Sequence, residues 1–318
     1  MRRTACTRLS GRFSDQKGAS VTVKRFLTPV LFGLLLDSQS SLRAEPAQVE
    51  FSFGAIADCQ YCNVPDNGGV RKYRLSVEKL QACVEHFNTL DLAFVTHLGD
   101  FIDKDFASFD AVGPIFEKLK APRYHVLGNH DFSVADDLKH KVVAKLGMDS
   151  RYYDFKVKGW RYVVLDGNDI SFHAYPSDST EYAKAVAYYE QNKITSPKWN
   201  GAVGPEQILW LRNVLEKAAQ QNEKVILFCH FPIFPENKHN LWNAEEIIAL
   251  LEQYPCVKAY INGHNHQGNY GTKNGIHYLT LKGMVDTEQT SYAVISTTEN
   301  TIHVAGHGRE PDRDMVVH

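Results

Sequence analysis

The sequence predicts an α/β protein built from two packed mixed β-sheets flanked by helices. Three observations carry that expectation. Short apolar runs alternate with helical spacing through the first half of the chain, and the last part is rich in strand-like runs. Hydrophobic residues make up 43% and charged residues 23% of the 318, the composition of a soluble globular protein with enough chain to bury a sizeable core. Five apolar runs end in carboxylate, amide or imidazole side chains, and ligand crevices in open α/β sheets lie at the carboxyl ends of strands. The same composition excludes a disordered chain, a collagen-like repeat and a multi-span membrane protein.

Taken in order, Phe51 to Ala57 (FSFGAIA) reads as a buried strand. Arg71 to Phe87 has helical spacing, with Leu75, Leu80, Val84 and Phe87 on or near one face. Leu92 to Leu98 is a second strand, Phe109 to Leu119 a helix, Tyr124 to Leu127 a short strand and Ala135 to Leu146 a helix. Tyr152 to Val157 and Trp160 to Leu165 form a β-pair around Lys158-Gly159. Tyr182 to Asn192 is helical within a polar and aromatic stretch. Gly204-Pro205 opens an amphipathic helix to about Ala219, because proline suits a first helical turn. Val225 to Cys229 is an apolar strand, and Ala244 to Leu251 is a helix. Val257 to Ile261, Ile276 to Leu281, Tyr292 to Ser296 and Ile302 to Ala305 close as strands.

The charge is divided unevenly. Residues 1–44 hold eight basic and two acidic residues, whereas 45–318 hold 27 basic and 35 acidic ones. Lys24 and Arg25 precede an apolar run from Phe26 to Leu36, and a polar stretch then ends at Leu42-Arg43-Ala44. That is the pattern of a signal peptide, too short to span a bilayer as a mature helix. The expectation is a leader over 1–44 and a catalytic domain over 45–318. The protein is then exported, periplasmic or secreted, without membrane attachment once the leader is removed. The alternatives are an organelle transit peptide or a disordered extension on a cytoplasmic protein. Cys59 and Cys62 form a lone C-x-x-C, which excludes a two-pair zinc knuckle and leaves a disulfide open.

The chemistry sits at the strand ends. Asp58-Cys59-Gln60 follows the first strand, Gly99-Asp100 the second, and Gly128-Asn129-His130-Asp131 the third. His230 follows Val225–Cys229, and Gly263-His264-Asn265-His266 follows Val257–Ile261. Mixed imidazole and oxygen donors suit Mn, Fe or Zn rather than calcium, and a carboxylate such as Asp100 can bridge two ions. A lone Gly-Asp is usually a turn, and a lone strand-end histidine is usually structural. All five clusters in this order are not explained by turns.

This order resembles the calcineurin-like metallophosphoesterase superfamily, whose pattern is D-x-H, G-D, G-N-H-[DE], a strand-end H and G-H-x-H. Gln60 departs from it, and D-x-Q is similar to the manganese-dependent ADP-ribose/CDP-alcohol diphosphatase family. Arg71-Lys72-Tyr73-Arg74, Trp199 to Gly204, His230 to Pro235 and Gly306 to Arg313 extend that similarity almost to the C-terminus. The resemblance implies the αββα sandwich of that superfamily and a pair of divalent ions. Asp58, Gln60, Asp100 and His266 would hold one ion; Asp100, Asn129, His230 and His264 would hold the other. His130 would stabilise the transition state or donate a proton, and Asp131 would orient it. The Gln60 amide oxygen is a harder donor than imidazole, which favours Mn²⁺ over Zn²⁺, with Fe and Mg also compatible.

The expected reaction is attack of a metal-activated water on phosphorus, cutting the pyrophosphate bond of a nucleoside diphosphate-linked compound. Arg71, Lys72 and Arg74 are candidates for the second phosphate, or else a solvated basic face. Arg309 and Arg313 pose the same question. Trp199, Asn200, His239 and Trp242 are candidates for the base or alcohol end, and His97 for support of Asp100. His86, His125, His140, His173, His277, His303, His307 and His318 read as structural or surface residues. The expected partner is a small nucleotide, not a nucleic acid. Competing expectations are a phosphodiesterase or phosphomonoesterase of the same superfamily acting on cyclic nucleotides, phospholipid head groups or phosphoproteins, and a non-catalytic binding scaffold.

Overall fold

The computed structural model describes residues 50–317, so the leader expected over 1–44 lies outside the described residues. The chain runs through β1 (Phe51–Ile56), α1 (Ser76–Phe87), β2 (Leu92–His97), α2 (Ser108–Phe116) and β3 (Arg123–His125). A short α3 (Val142–Lys145), β4 (Tyr153–Val157), β5 (Trp160–Val164), the two-residue β6 (Ile170–Ser171), α4 (Thr180–Gln191) and β7 (Gly201–Ala202) follow. Then come α5 (Pro205–Gln220), β8 (Lys224–Phe228), α6 (Ala244–Leu251) and β9 (Val257–Asn262). The chain ends with β10 (Asn269–Lys273), β11 (Ile276–Thr280), β12 (Ser291–Thr297), β13 (Thr301–Gly308) and β14 (Arg313–Val316).

Two six-stranded mixed sheets result, in the orders β14-β13-β12-β1-β2-β3 and β10-β11-β9-β8-β5-β4. The strands β1, β2 and β3 run parallel, as do β5, β8, β9 and β11. Each parallel set therefore delivers its carboxyl ends to one edge of its sheet, and that edge carries the polar clusters. Between the sheets lies an aromatic core. Phe53 and Phe94 stack at 4.6 Å between ring centroids, and Tyr162 meets Phe94 edge-on at 4.7 Å. Outside the sheets, α1 and α2 cover the first with Leu80, Val84, Phe87, Phe109 and Phe116, while α5 and α6 cover the second.

Local chemistry explains the element ends. Gly204 caps α5 with Pro205 in its first turn, and the Ser179 hydroxyl accepts the Tyr182 N–H at 3.1 Å to start α4. The Lys158-Gly159 turn has φ of 44° and 82°, the left-handed pair that a tight hairpin needs. Asn274-Gly275 repeats it at 50° and 81°, creating the β10–β11 hairpin that the apolar-run reading overlooked. The helix expected over 135–146 is instead mostly a 3₁₀ segment, Asp136–Lys141, with one α-turn after it. There the Asp136 carboxylate accepts from Ser177 N at 3.0 Å and pairs with Lys139. Cys59 and Cys62 are separate buried thiols, and burial pushes Cys59 up to about 12. No described helix is long and apolar enough to cross a membrane.

Phe94 is fully buried at the centre of the inter-sheet rings. Phe94→Ala is expected to lower unfolding stability by roughly 3–5 kcal/mol, read from the urea midpoint. A loss below about 1 kcal/mol would contradict this packing.

Candidate active site

The loops after β1 and β2 are zipped together. Asp58 N donates to Gly99 O at 3.2 Å, and Gln60 N donates to Asp100 O at 2.8 Å. Across to the second sheet, His264 N donates to the Asp58 carboxylate at 3.1 Å; from the loop after β3 in the same sheet, His130 N donates to Asp100 Oδ1 at 2.8 Å. The backbone is strained to achieve this. Asp58, Gln60, Asp100 and His264 have φ of 53°, 44°, 58° and 66°, the left-handed region that non-glycine residues avoid. Two glycines are required by close approach. A Cβ on Gly99 would lie 2.6 Å from His230 Nδ1, and one on Gly128 would overlap the Asp100 carboxylate.

Asp58 and Asp100 are both fully buried. One donor atom from each of Asp100, His230 and His264 lies within 4.8 Å of the others. His230 Nε2 is 3.2 Å from Asp100 Oδ2, and His266 Nε2 is 3.4 Å from Asp58 Oδ1. Each imidazole is oriented from outside. His230 Nδ1 meets the Leu98 carbonyl at 2.8 Å, and His266 Nδ1 meets Asp286 at 2.9 Å. His264 Nε2 meets Asn200 Oδ1 at 2.9 Å. Asn200 Nδ2 donates to Lys238 O, so its oxygen must face His264 as an acceptor. All three rings thus donate an N–H outward and turn the other nitrogen inward, His230 and His266 toward the carboxylates and His264 Nδ1 to within 3.2 Å of His230 Nε2, the arrangement that prepares imidazole for a metal.

The remaining donors complete the fit. Gln60 Oε1 and Asn129 Oδ1 are buried oxygens without a hydrogen-bond partner among the described residues. An orphaned buried acceptor costs about 1–3 kcal/mol unless a cation takes it up. The electrostatics make the same demand. Burial pulls His230 down, but Asp100 and Asp58 outweigh it and raise the ring to about 9. Burial likewise lowers His266, while Asp58 and Asp286 raise it to about 9. Burial alone would push Asp100 up, yet His230, His130 and His264 hold its carboxyl well below the usual range. Asp58, Gln60, Asp100, Asn129, His230, His264 and His266 therefore form a donor set that fits divalent cations.

His130 lies beside this cluster, but its expected partner is different. His130 Nδ1 meets Asp103 Oδ1 at 2.7 Å. The Asp131 carboxylate instead accepts four backbone N–H groups, those of Asp100, Phe101, Ile102 and Gly128, at 2.8–3.3 Å. Asp131 thus shapes the Asp100 loop and does not orient His130. Burial pulls His130 down, but Asp100 and Asp103 hold it above the ordinary imidazole value.

A cavity of about 570 Å³ opens over the cluster, lined by Gln60, Asp100, Asn129, His130, His264 and His266. Arg71 and His239, both expected near substrate, also line it. Arg74 does not; its guanidinium is drawn outward to Asn63 at 2.9 Å. Asn200 is fully buried and holds His264, so it is not a base contact. Lys72 pairs with Asp66 and Glu288, and Arg313 lies over the Tyr270 ring. Trp242 is a buttress, its indole N–H donating to Pro197 O at 3.1 Å. His97 is buried against Phe101 with neither ring nitrogen partnered among the described residues.

Several functional positions escaped the sequence reading. Asp103 follows Asp100 by three residues, and that spacing was its only signal. Asp286 has none, because it reaches His266 through a loop after β11. That loop is pinned by the buried Lys79, whose Nζ donates to the carbonyls of Met284 and Thr287 at 2.9 and 2.6 Å. Phe172, His173, Lys198 and Ser133 join the expected Trp199 in the cavity wall.

Comparison with known proteins agrees with this geometry. The sequence model of the calcineurin-like phosphoesterase family matches residues 51–268. A manganese-dependent ADP-ribose/CDP-alcohol diphosphatase of Oryza sativa is 32% identical, over 86% of this chain and 96% of its own length. The Homo sapiens protein of the same name is 28% identical, over 83% of this chain and 92% of its own. Among solved structures, a dimetal phosphatase from Danio rerio superposes with a TM-score of 0.77 at 24% identity, covering 85% of this chain and all of its own.

Asp131→Ala removes one acceptor from four buried N–H groups and is expected to cost more than about 3 kcal/mol of stability in urea unfolding. Asp103→Asn is expected to leave stability unchanged while lowering turnover roughly 10- to 100-fold. The reverse pattern would show that the two carboxylates have been assigned the wrong tasks.

Proposed function

The chain belongs to the calcineurin-like phosphoesterases, within the manganese-dependent ADP-ribose/CDP-alcohol diphosphatases, and we propose that it hydrolyses the pyrophosphate bond of nucleoside diphosphate-linked compounds such as ADP-ribose and CDP-choline. The observation that carries this reading is the cavity. Its floor is the dimetal donor set, and its wall adds a cation, Arg71, and an exposed aromatic face, Trp199. A further cation and a ring platform suit a substrate that carries a second phosphate and a base.

When bound, the two ions supply positive charge to the phosphate oxygens and generate a nucleophile from water. The chain's own groups do the rest. Asp58, Gln60, Asp100 and His266 would hold one ion, and Asp100, Asn129, His230 and His264 the other. The Gln60 amide oxygen favours manganese over zinc. His130, held by Asp103 and raised above the ordinary imidazole value by Asp100 and Asp103, faces the cavity where a leaving oxygen needs a proton. Arg71 is set beside the floor because its backbone bridges to Asp286. It suits the phosphate that leaves, and a phosphate monoester leaves more easily than an alkoxide. Trp199 is 47% exposed although its segment is fastened by Trp242 and Asn200. An exposed indole on an anchored segment fits a nucleobase face, and stacking accepts adenine and cytosine alike.

With Mn²⁺, ADP-ribose is expected to give AMP and ribose 5-phosphate, and CDP-choline to give CMP and phosphocholine. Turnover of a cyclic nucleotide alone would overturn the proposal. Arg71→Gln is expected to raise KM about tenfold or more on both diphosphates. For localisation, the leader pattern supports export: N-terminal sequencing of the mature protein is expected to start near residue 45. A mature protein starting at Met1 would contradict it.

A further inference from the structure

His173 lines the cavity but belongs to neither the donor set nor the His130–Asp103 pair. Its ring is fixed by one contact, Nε2 to Asn168 Oδ1 at 2.7 Å. The Asn168 amide cannot be reversed, because its Nδ2 donates to the Leu127 carbonyl at 2.9 Å, and a carbonyl only accepts. Asn168 therefore presents oxygen to His173, and Nε2 carries the hydrogen. Burial lowers the pKa of His173 to about 3, so the ring is neutral and has a single N–H. That leaves Nδ1 as a bare acceptor without a partner among the described residues.

The support is rigid. The Ser171 hydroxyl donates to Asn168 O at 3.0 Å and accepts the Ala174 N–H at 3.2 Å. Asn168 N donates to Asp166, which is paired with Arg151. The adjacent Phe172 packs edge-on against Tyr182, Tyr189 and Trp242. One ring, Phe231, separates His173 from the metal-facing imidazoles. Its centroid lies 6.5 Å from that of His173, 5.1 Å from that of His230 and 4.6 Å from that of His264.

These facts restrict what His173 can recognise. A bare imidazole nitrogen repels a phosphate oxygen, since both are acceptors. It needs a donor from the substrate, on the side of the cavity where Phe231 links His173 to the metal-facing imidazoles. On either side of a pyrophosphate in a nucleotide-linked compound, the donors nearest phosphorus are sugar or polyol hydroxyls. We propose that His173 is a specificity residue that accepts a hydrogen bond from such a hydroxyl, an inference resting on the diphosphatase reading above.

The test uses the manganese-loaded enzyme and two matched substrate pairs. CDP-glycerol and CDP-propanol differ only in hydroxyls on the leaving side. CDP-choline and its 2′,3′-dideoxycytidine form differ only on the nucleoside side. His173→Phe is expected to lower kcat/KM about tenfold on the hydroxylated member of one pair and to leave the deoxy partner unchanged. The affected pair identifies which hydroxyl is read. His173→Gln, which keeps an acceptor, is expected to recover most of the loss. Because each comparison is a ratio within one protein preparation, a fraction of misfolded variant cancels. Equal losses on both members of both pairs, or no loss, would overturn the assignment. If the wild type hydrolyses none of the four, the diphosphatase reading itself fails and this inference falls with it.

Discussion

Asp58 and Asp100 sit fully buried at the ends of neighbouring parallel strands, and the rest of the site is arranged around their negative charge. Carboxylates out of water are costly unless paired, bonded or bound to a cation. Here their partners are imidazoles, one amide and backbone N–H groups. The left-handed backbone at four of the seven donors is the geometric consequence of turning so many polar groups toward one point. Such strain persists only where the surroundings over-determine it.

The fold supplies that over-determination. Parallel strands in each sheet bring their carboxyl ends to a common edge, so residues some 200 positions apart in the chain meet. Interlocked rings fix the sheets face to face. A ring of supports then sets each donor. Asp131 gathers four N–H groups of the two loops around Asp100, Lys79 and Asp286 hold His266 through one loop, and Asn200 holds His264. None of these supports needs to touch a substrate, yet each decides where a donor atom points.

The donors were legible in the sequence because each follows an apolar run, and a strand end is where polar residues converge. The sheets were legible for the same reason. What was hidden depends on tertiary proximity. Asp131 adjoins His130 in sequence, but the tight turn after it directs its carboxylate backwards, and Asp103 from another loop takes its place. Asn200 looked like a loop residue free to meet a base, whereas burial commits both ends of its amide to protein. Arg74 faces away from the cavity that Arg71 enters, because Arg71 is held in a backbone bridge to Asp286 whereas Arg74 lies in the 3₁₀ turn that follows and is tied to Asn63. His173 carries no motif, and only the cavity wall reveals it. The β10–β11 hairpin was readable from Asn274-Gly275, but polar residues in β10 masked the strand.

The buried carboxylates, the orphaned oxygens of Gln60 and Asn129 and the inward-facing imidazoles together form a site for two divalent ions. Calorimetric titration of the metal-free protein with Mn²⁺ tests it most directly. Two ions per chain are expected in the wild type, with loss of tight binding at both positions in Asp100→Ala, the carboxylate that would serve both. Binding of fewer than two ions, or an Asp100→Ala titration indistinguishable from the wild type, would contradict it.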